Sequence, residues 1–210
     1  MIQIAIDSSR LVSFALQKDE ETFSSPEMDF GRDSDSQFLP ALTLFLEEHG
    51  VRLQDVTHWT VGTGPGSLAG IRYALARVQG FCTGTGALSR GVPSSYALAS
   101  QMPQAGRIGV LTDARCGKVF LSVFQSGESG LAPAVADTIL GLEESWPDET
   151  ACDCYCTCGE SFARQLPSPI QAKLTLLSTP DATPLLRASS SLWPWLATPA
   201  VEPIYVRPPA

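Results

Sequence analysis

THWTVGTGPGSLAGIRYALARVQGFCTGTG, residues 57–86, decides the fold. Residues 57–62 are β-branched, aromatic and apolar, the composition of a strand. Gly62, Gly64, Pro65 and Gly66 then make a bend, where glycine admits close backbone approach and proline fixes one angle. Ser67 can cap a helix by accepting a free first-turn N–H. The helix is predicted over 68–82. Leu68, Ile71, Leu75, Val78 and Cys82 recur at helical spacing along one face. Tyr73, Arg77 and Gly80 fall on the other. Free N–H groups at such a helix start attract anions. Residues 64–67 are therefore either a phosphate or carboxylate site or simply a well-capped turn. The Lys of a full P-loop is missing.

Outward from that turn, residues 2–7 read as a strand, 8–10 as a turn and 11–17 as the returning strand. A weaker strand is expected at 21–25, a polar loop at 26–35, and a helix at 36–49 with Phe38, Leu39, Leu42, Phe45 and Leu46 on its apolar face. Pro40 is tolerable there only near the first turn. Beyond residue 86, a short helix is expected at 95–102 and a boundary at 103–106. Strands follow at 107–112 and 118–124, separated by a DARCG turn. Further strands are expected near 135–139, at 154–158 and at 173–177. Helices are expected at 160–166 and 184–196, and the tail is extended. Both halves start with a hairpin and then alternate strand and helix, which predicts an α/β fold of two lobes, 1–103 and 104–210.

The chain has 210 residues, 44% of them hydrophobic, enough for a substantial core. Net charge is −8, with only three lysines among 14 basic residues. That balance disfavours direct nucleic-acid binding, which relies on neutralising phosphates. It suits a basic protein partner instead. No run of 18 apolar residues predicts a membrane span. The opening MIQIAID has no charged leader, so the expectation is a cytoplasmic protein with its six cysteines reduced.

The candidates for chemistry are few. His49 and His58 are nine positions apart, and neither HxxxH nor HExxH occurs. With two histidines, a Ser–His–Asp triad through Ser8, Ser9 or Ser67 is not expected. Cys152, Cys154, Cys156 and Cys158 alternate along one expected strand face. A tetrahedral zinc needs ligands converging from two turns, so these thiols read as core packing and no metal is expected. Asp7 and Asp113 each end the first strand of a half. They could orient a phosphate-bound cation or cap their own turns.

Four pieces together carry a resemblance: AIDSS at 5–9, SQFLPAL at 36–42, GTGPGSLAGIR at 62–72 and DARCGKVF at 113–120, with PIYVRPP at 203–209 agreeing in place. The chain resembles the TsaB (YeaZ) family, the small subunit of the bacterial machinery for tRNA threonylcarbamoyladenosine. The resemblance implies the actin-like, sugar-kinase and Hsp70 (ASKHA) fold with two hairpin-led lobes. It implies a non-catalytic subunit pairing with a TsaD-like paralogue, which holds a metal through HxxxH and performs the transfer. A TsaE-like ATPase, tRNA contact only through the complex, and ATP or ADP at the shared interface are further implications. The Tyr73 face of the helix separately reads as a surface on which the free chain forms a homodimer by a two-fold self-complementary contact. Asp7, Ser8, Gly64, Pro65, Gly66, Ser67 and Asp113 would lie near nucleotide. Phe38, Leu42, Tyr73, Arg77, Gly80 and Phe81 would lie at the partner contact. The chain departs from the family pattern at Leu68–Ala69, where Phe-Thr is usual, at Ser8 in place of threonine, and at Asp35, where a histidine is usual. The rivals are an ATP-dependent or proteolytic enzyme of the same fold, and a cysteine-based metal or redox module.

Overall fold

The structure, a computed structural model, describes residues 1–31, 34–103, 106–127, 130–197 and 202–204. Two units arise. One is Met1–Ser94 with Asp181–Pro203, and the other is built on Ser95–Pro180. Residues 181–203 thus belong with the first lobe, not with the second as a single division at 103 implied.

In the first unit, β1 (Ile2–Asp7) lies at the centre of a sheet. Ile4, Ala5 and Ile6 have no exposed surface, which explains the unbroken apolar run. β2 (Ser13–Lys18) pairs antiparallel with β1, Ile2 opposite Lys18 and Asp7 opposite Ser13. β3 (Glu21–Ser24) extends the hairpin. α1 (Ser34–Glu48) begins two residues earlier than expected, so Pro40 lies deeper inside it. β4 (His58–Gly62) runs parallel to β1. α2 (Leu68–Thr85) is capped by Ser67 and stops at Gly86, whose φ of 75° and N–H to the Cys82 carbonyl form a left-handed C-cap. Its buried side is Ile71, Ala74, Leu75, Val78 and Cys82; Leu68, expected on that face, is exposed. β5 (Leu88–Val92), parallel to β4, is a strand that the local sequence pattern does not predict. The order is β3-β2-β1-β4-β5. One core holds Phe14, Phe38, Leu42, Phe45, Leu46, Trp59 and Val61, with Phe38 edge-on to Phe14 at 5.4 Å.

The second unit opens with α3 (Ser95–Ala99), all five residues buried. β6 (Arg107–Arg115) and β7 (Lys118–Gly127) form its hairpin. The strand runs through Asp113 and turns at Cys116–Gly117, so DARCG is only partly turn. β8 (Gly130–Gly141) spans 12 residues, far more than the five expected. β9 (Cys154–Thr157) and β10 (Leu174–Leu176) run parallel to β6 and β9 respectively. α4 (Glu160–Ala163) and α5 (Ser168–Gln171) are single turns. The order β8-β7-β6-β9-β10 repeats that of the first unit strand for strand, parallel and antiparallel pairs included. Two such mixed α/β sheets give the expected ASKHA-like fold.

The segment expected as a helix over 184–196 is helical only as α6 (Thr183–Leu186). Pro184 sits in its first turn, and beyond it the Ser189 hydroxyl accepts the Ser191 N–H and Pro194 blocks continuation. Leu185 is fully buried and Leu186 nearly so, and α6 packs on β1, β2 and β4. Arg90 fixes it. This guanidinium, 2% exposed, donates to the carbonyls of Leu185, Leu186 and Ala188 at 2.8–3.3 Å and to the Thr60 hydroxyl at 3.0 Å. Residues 205–210, most of the expected extended tail, lie outside the described residues.

Candidate functional site

The end of β1 and the loop from β4 to α2 form one interlocked unit. Asp7 is 9% exposed, and its Oδ1 accepts the Ser9 N–H at 2.7 Å. Burial raises the Asp7 carboxyl above its ordinary value; hydrogen bonds from Ser9 and Ser94 offset part of that. Ser94, just past β5, receives the Gly64 N–H on its hydroxyl at 3.1 Å and donates its own N–H to the Gly64 carbonyl at 2.7 Å. The Ser67 N–H donates to the Ser9 carbonyl at 2.7 Å, and the Ser8 hydroxyl donates to the Gly70 carbonyl at 2.8 Å. The Gly70 N–H goes to the Ser67 hydroxyl at 3.3 Å.

This packing accounts for the glycines. A Cβ on Gly62 would sit 2.6 Å from both Asp7 Oδ2 and Ser94 Oγ. On Gly66 and Gly70 it would press into the Ser9 and Ser8 carbonyl oxygens, closer than real Cβ atoms come. The glycine turn closes on the chain's own Ser8–Ser9 turn. Three of the N–H groups expected to attract an anion, those of Gly64, Ser67 and Gly70, already have acceptors inside the fold. Of the two readings of residues 64–67, this geometry supports the capped turn.

Beside this unit lies a groove of about 390 Å³, whose lining includes Ser8, Arg10, Met28, Phe30, Ser67, Gly70 and Tyr73. Tyr73 is half-buried, edge-on to Phe38 at 5.4 Å. Its hydroxyl accepts from Arg77 at 2.6 Å, and the guanidinium lies 4.8 Å from the ring centroid. Tyr73, Arg77, Gly80 and Phe81 all keep some exposed surface. Phe38 and Leu42 do not. Both have no exposed surface, because α1 turns them into the core, Phe38 against Phe14, so they are core residues and not the contact residues expected. From α1 it is Leu39 and Leu44 that are exposed.

Asp113 lies in the second unit and is exposed. Its Oδ1 accepts the Arg115 N–H at 2.7 Å, the same two-residue turn that Asp7 makes with Ser9. Both aspartates thus cap their own turns. The cysteines depart from a single four-membered ladder. Only Cys154 and Cys156 fall in β9, while Cys152 precedes it and packs with Tyr155, Phe162 and Leu166. Burial pushes the Cys156 thiol up to about 12 and that of Cys152 to about 11, so both are neutral thiols. Among the described residues no group of three or more His, Cys, Asp or Glu side chains could hold a metal ion. No helix among them is long and apolar enough to cross a membrane. Ser94, which ties the glycine loop to Asp7, was not singled out in the sequence; nothing in VPSS distinguishes it from loop.

A protein-family model described as "TsaD: tRNA N6-adenosine threonylcarbamoyltransferase" matches residues 26–189, well over half of the chain. The chain belongs to the TsaD family. Its relatives within reach are of the TsaB/YeaZ kind, as the motif resemblance implied. The tRNA threonylcarbamoyladenosine biosynthesis protein TsaB of Escherichia coli strain K12 is 29% identical over 103 residues. That match covers 48% of this chain and 45% of the relative, so the chain spans under half the length of the curated protein it matches. Among solved structures, a Pseudomonas aeruginosa protein described as similar to peptidase YEAZ aligns with a TM-score of 0.80 and 23% identity, over 98% of this chain and 99% of its own. YeaZ from Pseudomonas aeruginosa aligns with a TM-score of 0.73 and 24% identity, over 89% of each chain. At those identities the two structures establish the fold of this TsaD-family chain and nothing finer.

Proposed function

We propose that this TsaD-family chain is a non-catalytic subunit that takes part in tRNA threonylcarbamoyladenosine biosynthesis by pairing with a catalytic TsaD-like paralogue. One observation carries the reading. The chain has the family's fold but only two histidines, nine positions apart, so the HxxxH pair that the motif resemblance assigns to the catalytic paralogue is missing from its sequence. The engaged N–H groups of the glycine turn support it, since those of Gly64, Ser67 and Gly70 go to the chain's own Ser94 hydroxyl, Ser9 carbonyl and Ser67 hydroxyl.

The contact on this reading uses the exposed side of α2 around Tyr73, Arg77, Gly80 and Phe81. A TsaE-like ATPase and nucleotide join at the assembled complex, and tRNA is met only there. The free chain pairs with itself through the same α2 surface. Size exclusion of this chain mixed with its cognate TsaD should give a heterodimer, weakened by Arg77→Glu. Two separate peaks at micromolar concentration overturn the reading. ATP turnover or tRNA modification by the chain alone, abolished by Asp7→Ala, would instead establish an enzyme.

A further inference from the structure

The return segment ends on a small cluster of rings and charges at the edge of the first sheet. The Ser89 N–H donates to the Leu196 carbonyl at 3.0 Å, and the Leu196 N–H returns to the Ser89 carbonyl at 2.8 Å, so residue 196 adds a single antiparallel bridge to the outer edge of β5. Next to it, the Trp195 indole carries two neighbours. The Arg90 guanidinium lies over the ring at 4.2 Å, and the His58 imidazole meets it edge-on at 4.7 Å. His58 Nδ1 lies 2.9 Å from the Thr57 hydroxyl. The charged groups acting on His58 are both positive: Arg90 from β5 and the amine of Met1 at the head of β1, itself 3.9 Å from Asp19.

We propose that residues 193–197 are a proton-sensitive latch, closed over the β5 edge while His58 is neutral and released when His58 takes up a proton. A single cation over an indole is attractive. A second, brought to the same ring beside Arg90 and within the field of the N-terminal amine, is opposed by both. The Ser89–Leu196 bridge is only two hydrogen bonds on an edge strand, so a modest electrostatic change decides whether it stays closed. Burial lowers the pKa of His58 first, and Arg90 and the Met1 amine lower it further. A group whose pKa falls on closing opposes closure only once protonated. Closure is therefore complete above the ordinary histidine value of 6.5 and is lost as pH falls below it.

The test is hydrogen exchange of the Ser89 and Leu196 amides by NMR, at about pH 7.5 and about pH 5.5, corrected for the intrinsic exchange rate. The Trp195 indole N–H, assigned with Trp195→Phe, is followed in parallel. Both amides should lose protection several-fold at the lower pH while amides of β1 and β4 keep theirs, and the indole signal should titrate with a midpoint below 6.5. His58→Gln, neutral at every pH, should keep the protection and flatten the titration. Unchanged protection in the wild-type chain overturns the latch. So does an equal loss in His58→Gln.

Discussion

Gly70 lies in α2, where alanine would ordinarily be the better residue. Replacing glycine by alanine inside a helix gains about 0.8–1 kcal/mol. At Gly70 the new methyl would be driven into the Ser8 carbonyl oxygen, which is backbone and cannot rotate away. Overpacking of this kind costs about 1–3 kcal/mol. Relieving it by moving α2 also weakens the Ser8 hydroxyl bond to the Gly70 carbonyl and the Ser67 N–H bond to the Ser9 carbonyl, each about 1 kcal/mol. The net effect expected of Gly70→Ala is a loss of roughly 2–3 kcal/mol, or about 5–10 °C in Tm for a chain of this size. Gly80 provides the control in the same helix. Nothing lies within 4 Å of its would-be Cβ. Gly80→Ala should therefore gain about 0.5–1 kcal/mol. Urea unfolding of the two variants, compared at equal m-values, reads the opposite signs directly. A neutral or stabilised Gly70→Ala would refute the argument that the glycine turn is closed on the Ser8–Ser9 turn.

Arg90→Ala would remove donors from three carbonyls and the Thr60 hydroxyl, and a loss of about 2–4 kcal/mol is expected, with new protease cuts within 181–197. Arg90→Lys should not restore it, because a point charge cannot span the same fork of acceptors; full rescue by Lys would contradict this. Burial disfavours the charged form of Asp7, so wild-type stability should decline as pH rises from 3.8 through the raised folded value. Asp7→Asn escapes that decline, and its stability relative to wild type should improve as pH rises above about 4; a gap that does not change with pH argues against a raised pKa. Iodoacetamide at about pH 8 should modify exposed Cys116 first and leave Cys152 and Cys156 last, as read by peptide mass spectrometry; Cys156 reacting as fast as Cys116 would contradict its burial.

The hairpins and α2 were legible because their signals are local. The apolar run of β1, the alternation of β2, the capping serine at 67 and the glycine run at 62–66 each announce an element within a few residues. What the sequence concealed depends on distant contacts. LSRGV at 88–92 looks unlike a strand, since Arg90 and Gly91 interrupt the apolar pattern. It becomes one because β4 offers a parallel edge and because carbonyls almost 100 positions later satisfy the guanidinium. The helix expected over 184–196 failed for the complementary reason: its apolar residues satisfy a docking surface on the first sheet rather than a helical face. Phe38 and Leu42 were read correctly as apolar and misplaced only in depth, since one periodicity serves both a core and an interface. The roles of Gly62, Gly66 and Gly70 needed coordinates, because each is defined by what presses on it from residues 7–9 or from Ser94.

Unit one is discontinuous along the chain, and a ribosome feels that order. When residue 94 is added at the ribosome, Gln3 and Arg90 are already made, yet the carbonyls that engage them at 185–188 are still more than 90 codons away. The first lobe must wait, incompletely closed, while the entire second lobe is translated. A gene fragment ending near residue 103 would leave that lobe waiting permanently.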